Sequence, residues 1–192
     1  MSDVPFSCSC GAVKGTLSDA SPRTGSHAIC HCKSCRQGEV FAGSKDPAPN
    51  PVTIFQTSPH RLHIAEGQDR IAVFSFGEKN LLRWYASCCG KTLFNTPRNP
   101  RISFVGISTD CLSDTDSIGP VIGRGFIPVA GGKTRHEGLA KLIWGGLSRV
   151  VVNRVTGRWR DTPLFDVSRG TPIKPVQVVP AAARKALLDS AK

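Results

Sequence analysis

The sequence has no apolar run near the roughly 18 residues that a membrane-crossing helix needs, and the longest hydrophobic stretches are interrupted well before that length. Its first residues, Met-Ser-Asp-Val-Pro, lack the basic stretch and apolar core of a secretory leader, which points to a reducing cytoplasm. There is no Gly or Pro period, which excludes collagen-like and low-complexity readings, and the regular return of Val, Ile, Leu and Phe argues against disorder. No Ser-His-Asp constellation, phosphate-cradling glycine loop or dinucleotide fingerprint is present; Gly131-Gly132 follows no strand-to-helix pattern. Acidic residues are scarce, with 14 Asp+Glu against 25 Lys+Arg in 192 residues, and the imbalance is local. Residues 1–119 hold 12 basic and 10 acidic side chains, whereas 120–192 hold 13 and 4. A basic terminal third attracts nucleic acid, an anionic membrane surface or small anions, or is a plain solvated face. The length suits one globular domain, with or without an appended helical element.

What the sequence does have is eight cysteines, too many to be incidental and, in a reducing compartment, no disulfide framework. Seven are clustered: Cys8 and Cys10; Cys30, Cys32 and Cys35; Cys88 and Cys89. Zinc bound by sulfur at about 2.3 Å places neighbouring sulfurs about 3.8 Å apart, so ligands must converge from a turn or from one strand face. Cys8 and Cys10 share a face of an extended segment, and Gly11 lets the chain turn after them, giving half a site. Cys30-His-Cys32-Lys-Ser-Cys35 offers three thiols to one ion and leaves a fourth position for water or substrate, the mark of a catalytic site. His31 is a rival ligand that an extended backbone would point away. Cys88 and Cys89 are awkward, because strand neighbours face opposite ways; Cys89 before Gly90 is the better ligand, and Cys88 is a ligand through a kink, a buried thiol or a redox partner of Cys89. Cys111 is expected as a small core residue.

Short runs with turn residues between them predict strands at 4–9, 12–17, 27–30, 52–56, 61–64, 71–76, 81–85, 91–95 and 102–107, with helices scarce. Pro47, Pro49 and Pro51 make 44–51 an exposed, extended loop. Thr134 to Glu137 has the form of a capping box, followed by an amphipathic helix with Leu139, Leu142, Ile143, Leu147, Val150 and Val151 on its apolar face and Gly157 as its stop. Gly145 and Gly146 weaken it and suggest close packing there. A short helix is expected from Pro180 to about residue 190. The predicted class is therefore mainly β with a C-terminal helical extension, α+β overall, divided at 1–130 and 131–192.

The cysteine motifs resemble those of the glutathione-dependent formaldehyde-activating enzymes, a family that includes centromere protein V. The matching segments are Cys8-Ser-Cys10-Gly11, Cys30-His-Cys32-Lys-Ser-Cys35 and Cys89-Gly90-Lys-Thr-Leu93-Phe94, with Arg83 ahead of the third, spanning about residues 4–115. The resemblance implies a zinc-stabilised beta-tent fold with two zinc ions per chain. By position, Cys8, Cys10 and Cys89 are ligands of a closed site and Cys30, Cys32 and Cys35 of an open one. Where the family has its first cysteine of the third motif this chain has Ala86, so Cys88 stands as the substitute fourth ligand. The implied activity is a carbon–sulfur lyase: a thiol such as glutathione, activated at the open site, adds to a small aldehyde such as formaldehyde, or the reverse. Lys33 and Arg36 flank the open site and would bind a substrate carboxylate, or are solvated charges; Glu39 is a proton acceptor or a surface carboxylate. The alternative is a zinc-stabilised binding module without turnover, using Arg149, Arg154, Arg158, Trp159 and Arg160 on nucleic acid or another acidic partner.

Overall fold

Alternation of apolar residues in the first two thirds produces strands whose inner faces are sealed by Phe, Leu, Ile and Trp. The computed structural model describes residues 2–187. Three strands, β1 (Ser2–Ser7), β2 (Lys14–Ala20) and β5 (Leu62–Glu66), form a small antiparallel sheet in the order β1-β2-β5. The large sheet uses β3 (Ser26–Cys30), β4 (Val52–Thr57), β6 (Ile71–Ser75), β7 (Leu82–Ala86), β8 (Lys91–Thr96), β9 (Val105–Ser108), β10 (Gly123–Pro128), β11 (Thr134–Glu137) and β14 (Val176–Val178). Its order is β11-β10-β3-β4-β9-β8-β7-β6-β14; the β3/β10 and β6/β14 pairs are parallel and the others antiparallel. A two-stranded ribbon of β12 (Phe165–Asp166) and β13 (Thr171–Pro172) and three α-helices, α1 (Lys33–Ala42), α2 (Leu139–Val155) and α3 (Ala181–Ala186), complete a mainly β chain.

Register assigns the two faces of the large sheet. Trp84 pairs with Phe94, Phe94 with Ile107 and Ile107 with Phe55, giving a row of fully buried side chains that meets the small sheet through the edge-to-face contact of Phe6 and Phe94 at 5.4 Å. The opposite row runs Arg83, Asn95, Gly106, Gln56 and Ser26, and the same face continues along β3 to Ala28 and Cys30. Both longer helices lie on this second face. α1 packs Phe41 on Phe74, with ring centres 4.4 Å apart, while α2 is anchored by Asn153, whose Nδ2 donates to Ser58 Oγ (2.7 Å) and Ser103 Oγ (3.1 Å), and by Arg149 donating to Ser26 Oγ (3.2 Å).

All nine anticipated strands are present with ends shifted by a few residues, and 44–51 is irregular as expected. The capping box is overturned. Thr134–Glu137 is a strand paired with β10, and α2 starts after Gly138, whose φ of +64° makes the turn and whose side supplies no capping hydrogen bond. A Cβ on Gly138 would sit 2.0 Å from the Ile122 carbonyl oxygen, so the tight strand-to-helix corner displaces the local cap. Helix α1 was not anticipated, because its N-cap is a cysteine and Gly38 in its interior is a poor helix former. Strands β10 to β14 were also missed, since partners far along the chain select them. The short terminal helix begins after Pro180 as expected, and the part of it expected at 188–190 lies outside the described residues. No described helix is long and apolar enough to cross a membrane.

Gly15 and Gly146 should respond oppositely to alanine. A Cβ on Gly15 would lie 2.1 Å from the His63 carbonyl oxygen and 2.4 Å from the Phe6 ring, so Gly15→Ala is expected to destabilise by about 1–3 kcal/mol. Gly146 in α2 has nothing within 4 Å, so Gly146→Ala is expected to stabilise by up to about 1 kcal/mol. Urea denaturation of the two variants reads both signs.

Candidate metal centre

The first cluster is assembled from two turns. After β1 the chain turns back over Cys8 to Gly11: the Gly11 N–H donates to the Cys8 carbonyl, the Cys8 N–H to the Val13 carbonyl (both 3.0 Å), and the Val13 N–H to Cys8 Sγ (3.3 Å). Cys8 and Cys10 thus converge through a turn, not along an extended strand. The β7–β8 turn supplies the other half. There the N–H groups of Cys89 and Gly90 both reach the Ala86 carbonyl (3.3 and 2.8 Å), which frees the adjacent Cys88 and Cys89 from the opposite-face rule of a strand. The sulfurs of Cys8, Cys10, Cys88 and Cys89 all lie within 4.8 Å of one another. The separations Cys10–Cys88 (3.3 Å), Cys8–Cys10 (3.6 Å) and Cys8–Cys88 (3.9 Å) bracket the edge of about 3.8 Å for a tetrahedron of sulfurs around one ion. Burial opposes ionisation of Cys8, but donation from Val13 N–H and the Cys10 thiol outweighs it and brings Cys8 down to about 6. Ala86, fully buried at the end of β7, contributes no ligand, and Cys88 takes part from the turn two residues later.

The second cluster sits where β3 gives way to α1. Cys30 ends β3, Cys32 is the N-cap of α1 and Cys35 lies in its first turn, and their sulfurs gather within 4.8 Å. The Cys35 N–H donates to Cys32 Sγ at 3.3 Å, and Cys35 Sγ lies 3.5 Å from Cys30 Sγ. Hydrogen bonds from the Cys30 and Cys35 thiols hold the Cys32 thiol far below its ordinary range against burial, helped by the Cys35 N–H and the positive charge of Arg83. The same bonds push Cys30 and Cys35 up, and Cys32 stands at the N-terminal, positive end of α1. His31 is absent from this set of ligand atoms; its backbone N–H bonds to the Gly125 carbonyl at 2.9 Å. Soft thiolate donors at these spacings could hold a metal ion in each cluster. Three sulfurs leave one side of the second position uncovered, and a crevice of about 200 Å³ walled by Cys30, His31, Cys32, Arg36, Pro49 and Asn50 adjoins it.

Of the flanking residues, Lys33 is exposed on α1. Arg36 is engaged: Nε and Nη2 both donate to the Asp46 carboxylate, the first at 2.6 Å, tying the proline-rich loop to α1. Glu39 is buried and so is no surface carboxylate, and it does not wall the crevice. Burial pushes its carboxyl up despite the nearby Lys91 charge. Cys111 is a core residue, donating to the Thr92 carbonyl at 3.4 Å, with its thiol pushed up to about 12 by burial. Sequence reasoning gave Arg83 no structural role. It is buried, donating to Asn95 Oδ1 (3.1 Å) and Ser34 Oγ (3.0 Å), with Gly38 leaving it room: a Cβ there would be 3.1 Å away. Ser34 and Gly38, at positions one and five after Lys33, were the available signals. Because the folded state raises the Glu39 carboxyl, its ionisation costs stability as pH climbs above the unfolded carboxyl range. Glu39→Gln is therefore expected to raise Tm at pH 8 and to have little effect at pH 4, as thermal melts at the two pH values would show.

None of the curated proteins matches this chain. A crystal structure of a Rhodobacter sphaeroides protein, a structural genomics target, superposes with a TM-score of 0.44 at 19% identity, over 61% of this chain and 96% of that one. The profile described as "Family of unknown function (DUF6151)" matches residues 1–176, and the chain belongs to that family.

Proposed function

We propose that each cysteine cluster holds a zinc ion and that the three-cysteine position serves the addition of a small thiol to an aldehyde, or the reverse carbon–sulfur cleavage, as a lyase of the glutathione-dependent formaldehyde-activating kind. The observation that carries this reading is the contrast between the clusters: four sulfurs close the first, whereas three leave the second facing a crevice. The sequence resemblance in the three cysteine motifs supports it. A zinc ion in the open position supplies positive charge that lets a thiol ionise at neutral pH. Cys30, Cys32 and Cys35 hold that position, while Cys8, Cys10, Cys88 and Cys89 act structurally by joining two turns. The reaction forms a bond from the substrate sulfur to the aldehyde carbon, and the carbonyl π pair moves to oxygen. The proton lost by the thiol ends on that oxygen, and nothing is oxidised. Lys33, exposed one residue after Cys32, would take a carboxylate such as those of glutathione; Arg36 shapes the crevice wall through Asp46.

A second reading, a binding module for nucleic acid or another acidic partner, is favoured by one feature. Trp159 is ringed by the guanidinium groups of Arg160, Arg154 and Arg101 at 4.7, 5.2 and 5.9 Å. Arg149 is not part of this patch, being half-buried against Ser26.

Metal analysis and thiol binding separate the readings. Two zinc ions per chain are expected, with Cys32→Ser losing one ion and glutathione binding together while the fold persists. A single ion that survives Cys32→Ser overturns the lyase reading. For the second reading, oligonucleotide affinity falling steeply with salt would support it, and no retention at low salt would end it.

A further inference from the structure

We propose that the aldehyde partner of the reaction carries an extended uncharged apolar chain, bound between α2 and the sheet with its reactive carbon at Cys30. This rests on the reading of the three-cysteine position given above. Helix α2 is held at Ser26, Ser58 and Ser103 toward its C-terminal half and by Leu142 over Gly123 near its start, yet it does not close on the sheet. A groove of about 580 Å³ remains, walled chiefly by Ala28, Ile54, Leu142, Ile143, Leu147 and Val150, with Gln56 and His136 the polar groups on its margin.

Three observations identify the occupant. First, Cys30 belongs both to this groove and to the polar crevice, so the two cavities adjoin at one cysteine of the trio. One cavity suits a polar thiol and the other an apolar chain, and their shared wall is where sulfur and carbon would meet. Second, no Asp, Glu, Lys or Arg among the described residues lines the groove, although this region of the sequence is rich in Lys and Arg. An acidic partner or an anionic membrane finds no Lys or Arg there; an uncharged chain finds a largely apolar lining. Third, Gly146 sits mid-helix, where glycine costs roughly 1 kcal/mol relative to alanine, without any atom within 4 Å of the missing side chain to explain it. Its effect is to keep the groove open. Ligand sites commonly have this volume and lining.

Unreactive primary n-alcohols, from propanol to decanol, serve as probes by calorimetry on the zinc-loaded protein. Affinity is expected to rise about fourfold per added methylene, the equivalent of about 0.8 kcal/mol per buried CH₂, until the groove is full. Gly146→Leu, which has room to fold, is expected to flatten that rise and leave zinc content and glutathione binding unchanged. Flat affinity along the series overturns the inference, as does a rise that Gly146→Leu leaves intact. So does a flat series in which the same variant converts a dimer to a monomer by sedimentation, which would give the groove to a second copy of the chain. A chain-length dependence abolished by Gly146→Leu, together with zinc content untouched by Cys32→Ser, would keep the groove and remove the lyase reading; the opposite pair of results would do the reverse.

Discussion

The guanidinium of Arg83 is buried with two neutral oxygen acceptors and no ion-pair partner among the described residues, and one of those acceptors, Ser34, ties it to the helix that carries the three-cysteine position. A buried cation is costly unless opposite charge lies near. Here the Cys32 thiol and the Glu39 carboxyl are the acidic groups near it, and the Arg83 charge favours the ionisation of both. The bond from Arg83 to Ser34 fixes the start of α1, and the Phe76 ring, 5.5 Å from the guanidinium carbon, lies on the same side. The end of α1 is fixed as well. Ser44 Oγ donates to the Gly90 carbonyl at 2.8 Å, and a Cβ on Gly90 would stand 2.5 Å from the Ala42 carbonyl oxygen. One short helix thus runs from the three-cysteine position to the turn that carries Cys88 and Cys89. The two clusters are separate as ligand sets but share a rigid strut, so loosening either end of α1 is felt at the other.

Most of the middle of the large sheet was legible because burial imposes a two-residue period, and Phe94, Ile107 and Phe55 fall where that period puts them. The cysteine groupings were legible for a different reason: sulfur spacing along the chain restricts which turns can gather them. What escaped was everything decided by contacts remote in sequence. Thr134 to Glu137 satisfies a local capping rule, yet pairing with β10 and the Gly138 corner decide the outcome. Cys88 beside Cys89 looked unsuited to a shared ion only on the assumption of a strand; on a turn the objection disappears. Arg36 read as a substrate cation because Asp46, ten residues on, is not visibly its partner until the loop folds back.

The two helices on the cysteine-bearing face differ in how they are seated. α1 is packed closely, with glycine at Gly38 and Gly90 allowing near contact, whereas α2 is pinned at points and stands off between them. The difference matches their surroundings, since α1 must hold sulfur atoms to tenths of an ångström and α2 need only bound a space. The outer side of α2 remains apolar too, with Trp144 76% and Val155 83% exposed.

Both borders of the nine-stranded sheet come from the last part of the chain: β10 and β11 cover β3 on one side, and β14 covers β6 on the other. An uncovered strand presents free N–H and C=O groups to any other extended chain. During synthesis at roughly 5–20 residues per second, the roughly fifty-five residues from Gly123 to Val178 take several seconds to emerge. The outer side of β3 is open until β10 emerges at the start of that interval, and the outer side of β6 stays open until β14 emerges at its end. The hazard of mispairing is therefore set by the pace of translation and by how soon a chaperone arrives, whatever the stability of the finished fold.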